Sequence, residues 1–152
     1  RPRADYCEKD DAMGPREAYR YWTAIPTRFS DNDMLGHINN VVYFRFFESV
    51  VVQFLIEQAS LNWQTDPIVP FAIDIRCRFC RPLAYPAAVD AGLVIGTLGT
   101  SSVRYDIALH AAGEPAAAAV GHFVHVYVDR QTERPVPIPA PIRAVYERFL
   151  AP

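Results

Sequence analysis

The chain lacks most of what marks a protein for a charged surface or a membrane. Its 15 basic and 17 acidic residues leave a formal net charge of −2, so bulk electrostatics give no support for a nucleic-acid partner. Lysine is all but missing: of the 15 basic residues only Lys9 is a lysine and the rest are arginine. Arginine suits bidentate contact with phosphate and carboxylate, yet the bias alone assigns no ligand. No apolar run reaches the ~18 residues that a membrane span needs, so no membrane partner is expected. Cysteine is scarce as well, with only Cys7, Cys77 and Cys80. An odd number and no secretory leader predict a reducing, cytoplasmic setting. Cys77 and Cys80 have the spacing of a redox or metal pair. In that segment, however, Phe71, Ile73, Ile75, Cys77 and Phe79 alternate with Ala72, Asp74, Arg76, Arg78 and Cys80. A strand would send the two thiols to opposite faces, and no second pair completes a zinc site. They read as two ordinary cysteines, and no metal is expected.

What is present fits one domain. At 152 residues, 51% hydrophobic and 21% charged, the chain is long enough to bury a sizeable core. Residues 1–18 are polar and unpatterned and read as a loose arm, leaving 19–152 as the domain. Residues 19–29 carry aromatic and β-branched side chains and predict a first strand, with Pro26 placing it at an edge or bend. A helix is predicted from Asn39 or Asn40 to residue 58, because asparagine is a favoured cap. Its polar positions, Arg45, Ser49, Gln53 and Glu57 with Glu48 beside them, form one narrow stripe, so the helix should be surrounded on its other sides. Strand-like segments follow at 70–80, 88–98, 102–110 and 117–129, with turns at 111–115 and 130–135. A short helix closes the chain at 141–150, with proline at its start. One buried helix followed by a run of antiparallel strands is an α+β layout: a curved sheet of about five strands wrapped round one long central helix.

The chemistry crowds into residues 28–48, "RFSDNDMLGHINNVVYFRFFE". A helix N-terminus presents unpaired N–H groups and partial positive charge, and can hold an oxyanion. Asp33, a few residues upstream, can fold over it. A carboxylate facing an oxyanion site is a minimal machine for acyl transfer: it attacks a carbonyl, or activates a water that does. No serine or cysteine with a histidine partner stands at a helix start, so a covalent Ser or Cys nucleophile is not suggested. A plainer reading is open at this point. Residues 30–33 also suit a turn, Asn40 can simply cap the helix, and His37 can be a satisfied buried imidazole.

The same stretch resembles the signature of the hot-dog-fold acyl-CoA thioesterases of the 4-hydroxybenzoyl-CoA thioesterase type. The matching positions are Asp31, Asp33, Gly36, His37, Asn39, Asn40, Tyr43 and Glu48, and the order of elements over about residues 19–140 is similar too. The resemblance implies Asp33 as catalytic carboxylate, nucleophile or general base, and Asn40 as the residue whose backbone N–H polarises the thioester carbonyl. It implies an assisting His37, with Asn39, Tyr43 and Glu48 at the substrate. Leu35 stands where carrier-protein relatives have an asparagine, which leaves Asp33 with backbone help as the sturdier proposal. Thr100, Ser101 and Ser102 occupy the segment that binds the substrate in the relatives, without its basic residues. They could bond pantetheine amides, while phosphates would need Arg76, Arg78, Arg81 or Arg104. For each of these arginines singly, a solvated sheet face is the plainer reading.

The expected activity is hydrolysis of an acyl-CoA or acyl-carrier-protein thioester. Coenzyme A would be part of the substrate, and no separate cofactor is expected. A hot-dog hydratase or dehydratase ranks lower, because its proline is absent and Asp33 and His37 are four positions apart. A non-catalytic acyl-CoA binding module is the other alternative. The resemblance also implies a homodimer or homotetramer with sites shared between chains. In residues 117–129, Phe123 and Tyr127 can cover the helix, while Val120, Val124, Val126 and Val128 on the other face need a cover.

Overall fold

The computed structural model describes Cys7 and residues 15–152. Most of the expected loose arm, residues 1–6 and 8–14, lies outside the described residues. The elements are β1 (Tyr21–Ile25), α1 (Asn40–Ala59), β2 (Ile68–Phe79), β3 (Val89–Leu98), β4 (Ser102–Ala111), β5 (Ala119–Asp129) and α2 (Ala140–Arg148). Five antiparallel strands form one sheet in the order β1-β3-β4-β5-β2. The sheet curves round α1, as expected. β1 is shorter than the predicted 19–29: strand pairing stops at Ile25, ahead of Pro26, and residues Phe29–Asp31 close into a 3₁₀ turn. The last helix runs Ala140–Arg148 rather than 141–150. Among the described residues no helix is long and apolar enough to cross a membrane.

The strands curl tightly because glycine permits close approach. A Cβ on Gly121 would stand 1.9 Å from the Arg76 carbonyl oxygen, so β5 and β2 could not pack this closely with any other residue there. The register of β2 slips between Ala72 and Asp74, leaving Ile73 60% exposed at a sheet edge.

The core lies between α1 and the sheet. Tyr43, Phe46, Phe47, Val50, Val51, Phe54 and Leu55 are the buried face of α1. At the C-terminal end of the helix, Phe54 stacks on Tyr146 at 6.2 Å and meets Phe149 edge-on at 5.0 Å. Beside it three buried hydroxyls form a chain: Tyr127 to Tyr146 at 2.6 Å, Tyr146 to Tyr105 at 2.6 Å, and Tyr105 to His125 Nδ1 at 3.1 Å. Donors and acceptors match in one direction only. With Nδ1 of His125 accepting, each hydroxyl donates once along the chain; reversed, the Tyr127 proton has no acceptor in it. Burial pushes the His125 pKa down to about 3, so the ring is neutral.

Two expectations are corrected. Helix α1 is not covered all round. Val41 is 68% and Ile56 51% exposed, next to the polar stripe, because one curved sheet reaches only one side of a helix. Cys80 is not an ordinary thiol: it is joined to Cys7 by a disulfide across 73 residues, with Cα atoms 4.9 Å apart, and Cys77 is the free cysteine. The predicted alternation does hold. Cys77 packs against the main core, while Cys80 lies buried in the outer-face cluster with Tyr19, Val94, Ala108 and Val120.

Candidate active site

The loop ahead of α1 is built around two aspartates with opposite fates. Asp31 is only 2% exposed. Its carboxylate accepts the Arg28 N–H at 2.8 Å and takes a bidentate contact from Arg45, Nη1 to Oδ1 and Nη2 to Oδ2, each at 2.9 Å. Burial works to raise its pKa, but the Arg45 guanidinium and the Arg28 N–H outweigh it and hold the carboxyl below the usual range. Asp31 is therefore an anchor that ties the loop to the first turns of α1.

From that anchor the chain makes a small hairpin. Asn32 bridges Ile38, the Asp33 N–H donates to the His37 carbonyl at 2.8 Å, and the Gly36 N–H donates to the Asp33 carbonyl at 3.0 Å. Gly36 sits at φ +77°, where a side chain would strain the turn. Neighbouring backbone fastens it: the Ile38 N–H donates to Leu83 at 2.8 Å, and Asn32 Oδ1 accepts the Tyr85 N–H at 3.1 Å. Asp33 stands at the turn of this hairpin, half-exposed. Its Oδ1 accepts the Leu35 N–H at 2.9 Å, and its other oxygen has no hydrogen bond among the described residues. It opens on a cleft of about 570 Å³ lined by Phe29, Asn32, Asp33, Met34 and Gly36.

Helix α1 begins directly behind. Asn39 is the cap, its Oδ1 accepting the Val41 N–H at 3.0 Å. Asn40 is the first helical residue and is exposed, and its N–H has no hydrogen-bond acceptor among the described residues. The open end of a 20-residue helix is a site for developing negative charge. His37 is exposed rather than a buried, satisfied imidazole, and its ring has no hydrogen-bond partner among the described residues. Loop, cap and helix start thus bring Asp33, His37, Asn39 and Asn40 to one end of the domain.

The other sequence-derived candidates fall elsewhere. Tyr43 is buried, its hydroxyl accepting the Leu83 N–H at 3.2 Å and its ring edge-on to Phe79 at 4.9 Å. Burial raises its pKa. Glu48 is exposed two turns along the helix. Thr100, Ser101 and Ser102 lie at the β3–β4 hairpin, where Ser101 accepts the Tyr127 N–H at 2.8 Å and Thr100 accepts the Ile138 N–H at 2.9 Å. That is the Ile68 end of β2, whereas the Asp33 loop is at its Phe79 end. The two are separated by a helix length, roughly 30 Å for 20 residues. One chain does not bring them together.

Of the four arginines, Arg76 pairs with Asp74 at 3.5 Å and Arg104 with Asp106 at 2.9 Å. Arg76 and Arg78 also line a cavity of about 580 Å³ with Phe44, Cys77 and His122, near the first turn of α1. Among the described residues no three His, Cys, Asp or Glu side chains gather as a metal cage. The sequence reading missed the Asp31–Arg45 anchor, whose only trace was an arginine in the polar stripe, and the contribution of Leu83 and Tyr85, which had no local signal.

Comparison with known proteins agrees with this architecture. The family model of the thioesterase-like superfamily matches residues 27–146. The PA5185 protein from Pseudomonas aeruginosa strain PAO1 superimposes with a TM-score of 0.87 at 39% identity, over 90% of this chain and 96% of that one. A thioesterase from Thermus thermophilus, solved in complex with coenzyme A and Zn, is 28% identical with a TM-score of 0.74, over 88% of this chain and 96% of that one. A curated relative, the uncharacterized protein YsmA of Bacillus subtilis (strain 168), is 26% identical over 124 residues, 80% of this chain and 81% of that protein.

Proposed function

The chain belongs to the thioesterase-like superfamily and is a thioester hydrolase; on that footing we propose that it cleaves an acyl-CoA thioester with Asp33 as the reacting carboxylate. The observation that carries this reading is a half-exposed carboxylate on the loop ahead of a helix start where, among the described residues, one Asp33 oxygen and the Asn40 N–H have no hydrogen-bond partner. As general base, Asp33 takes a proton from water, and the hydroxide adds to the thioester carbon. Charge then builds on the carbonyl oxygen, where the Asn40 N–H and the helix end stabilise it. Collapse breaks the C–S bond, and the thiolate leaves and is protonated. As nucleophile, Asp33 adds directly, expels the thiolate and forms a mixed anhydride that water then hydrolyses. Asn39 keeps the helix start in place. His37 lies on the same loop with its ring open to solvent, suited to giving the leaving thiolate its proton. The coenzyme A complex of the Thermus thermophilus relative supports coenzyme A as the thiol portion.

The site is completed by a second copy of this chain. Its support is the helix length that separates Asp33 from Thr100, Ser101 and Ser102. Antiparallel pairing of two β2 edges would set the Phe79 end of one strand beside the Ile68 end of the other, and so bring loop and hairpin together. Among the described residues the β2 edge is unpaired, and β2 carries exposed Phe71 and Ile73, a surface that proteins normally cover. Light scattering at micromolar concentration should give at least twice the 17.1 kDa chain mass. An active species of single-chain mass would refute the shared site.

The hydrolysis itself is tested by thiol release from a panel of acyl-CoAs. Asp33→Asn should fold normally and lose about a hundredfold or more in turnover. His37→Ala should lose less than about tenfold, because a thiolate leaves readily. Near-normal turnover by the Asp33→Asn protein would rule the mechanism out.

A further inference from the structure

We propose that Tyr43 is a positioning residue for the reaction and does not touch the substrate: through Leu83, its hydroxyl holds the loop of Asp33 against the start of α1. The inference rests on the hydrolase reading with Asp33 and the Asn40 N–H at its centre. Those two groups sit on separate pieces of structure, the hairpin closed by Asn32 and Ile38 and the first turn of the helix. Both pieces lean on one short segment. The Leu83 carbonyl accepts the Ile38 N–H at 2.8 Å, and the Leu83 N–H donates to the Tyr43 hydroxyl at 3.2 Å. Two residues on, the Tyr85 N–H donates to Asn32 Oδ1 at 3.1 Å. The segment is itself tied to the sheet, because the Cys80 and Arg81 N–H groups both donate to the Ala118 carbonyl, at 2.8 and 3.1 Å. Residues 80–85 thus form a bracket behind the site, and Leu83 joins loop to helix with both of its backbone groups.

Burial makes this bracket costly to disturb. Tyr43 is 3%, Ile38 4% and Leu83 4% exposed within a single chain, and a second copy can only bury them further. The Tyr43 ring is set edge-on to Phe79 at 4.9 Å, so its hydroxyl has little freedom to follow a shifting Leu83. A side chain so enclosed offers no face to a thioester; what it offers is an acceptor for a backbone N–H. With phenylalanine in its place the Leu83 N–H is left buried and unpaired. The segment then moves to satisfy it and takes Ile38 along. A misplacement of about 1 Å can cost about a hundredfold in rate, so a bracket loosened at one point should cost about tenfold. The loss falls on kcat, because what suffers is the alignment of Asp33 with the Asn40 N–H and not a contact with the substrate.

The test compares Tyr43→Phe, Asn32→Ala and Tyr127→Phe by thiol release from acyl-CoAs, urea unfolding and hydrogen exchange of the Ile38 amide. Tyr127→Phe is the control, since it deletes a buried hydroxyl bond at the far end of α1. Tyr43→Phe should lower kcat about tenfold with KM within about twofold of the wild type. Its Ile38 amide should exchange about tenfold faster than the drop in global stability accounts for. Asn32→Ala, a change at a half-buried side chain, should show the same pattern more weakly. The double variant should lose less than the product of the two, because both act on one segment. Tyr127→Phe should lower stability and leave kcat and the stability-corrected Ile38 exchange as they were. A Tyr43→Phe protein with raised KM and unchanged kcat would make Tyr43 a substrate contact and overturn the proposal. So would unchanged Ile38 exchange, an equal kcat loss in Tyr127→Phe, or losses that simply multiply in the double variant. Unchanged kcat and Ile38 exchange in Asn32→Ala would overturn the bracket even if Tyr43→Phe did not fold. Should the wild type cleave no thioester, the hydrolase reading falls, and the Ile38 exchange alone decides whether the bracket stands.

Discussion

The two ends of helix α1 are built to opposite standards. At the C-terminal end Phe54 is enclosed by Tyr105, Tyr146 and Phe149, and every hydroxyl of the tyrosine chain has a partner. At the N-terminal end the Asn40 N–H and one Asp33 oxygen have none among the described residues, and Phe29, Met34 and Leu35 face water. The closed end contributes stability. The open end leaves free the groups that could meet a substrate, and the buried Asp31 carboxylate with its partly exposed partner Arg45 helps to keep it in shape.

The sharpest way to break this contrast is to truncate at both ends. Phe54→Ala should cost about 3–5 kcal/mol, from lost transfer energy and the cavity left behind. Val41→Ala, at the exposed end, should stay within about 0.5 kcal/mol. Thermal or denaturant unfolding checks both, and similar losses at the two positions would mean that the N-terminal end is packed after all.

The anchor comes next. Arg45→Met leaves the Asp31 carboxylate buried with the Arg28 N–H and the Arg28 guanidinium at 3.7 Å, and should cost about 1–3 kcal/mol, less than a fully enclosed pair because Arg45 is partly exposed. The native pKa of Asp31 lies below its ordinary value, so its contribution is complete above about pH 4 and fades as pH falls through the depressed value. Without Arg45, acid unfolding should begin at higher pH. An unchanged acid limb would show that Arg45 does not hold the carboxyl down.

The effect of His125 is confined to acid solution. Its pKa is about 3 in the fold against an ordinary 6.5, so the unfolded chain binds the extra proton between those values. Stability is complete above pH 6.5 and falls at about 1 kcal/mol per pH unit as the solution is acidified toward pH 3. His125→Gln, which keeps an acceptor for Tyr105, should flatten that slope in urea titrations at a series of pH values. A slope equal to the wild type would place the neutral ring elsewhere.

Much of the fold was legible because it is written in short-range pattern. Asn39 and Asn40 marked the start of α1 to the residue, and the alternation in 102–110 and 70–80 placed β4 and β2 within about two residues of their ends. The hairpin and helix start of the candidate site were legible as one segment for the same reason, since residues 31–40 build it almost alone. The rest depended on partners far along the chain. Cys80 finds Cys7 across 73 residues, Ile38 and Tyr43 lean on Leu83, and the tyrosine chain joins β4, β5 and α2. No local period encodes such meetings.

The sequence by itself determined which segments are helix and strand, which faces are apolar, and that Asp33 precedes a helix N-terminus. Those properties follow from backbone preference and side-chain period, which act over a few residues. Only the tertiary structure decided that Asp31 is spent as an anchor while Asp33 stays half-open, because the difference lies in whether Arg45 reaches the carboxylate. It alone put Thr100, Ser101 and Ser102 a helix length from Asp33, and left one side of α1 in water, since the curvature of a sheet and the reach of its edge are sums over every strand pairing at once.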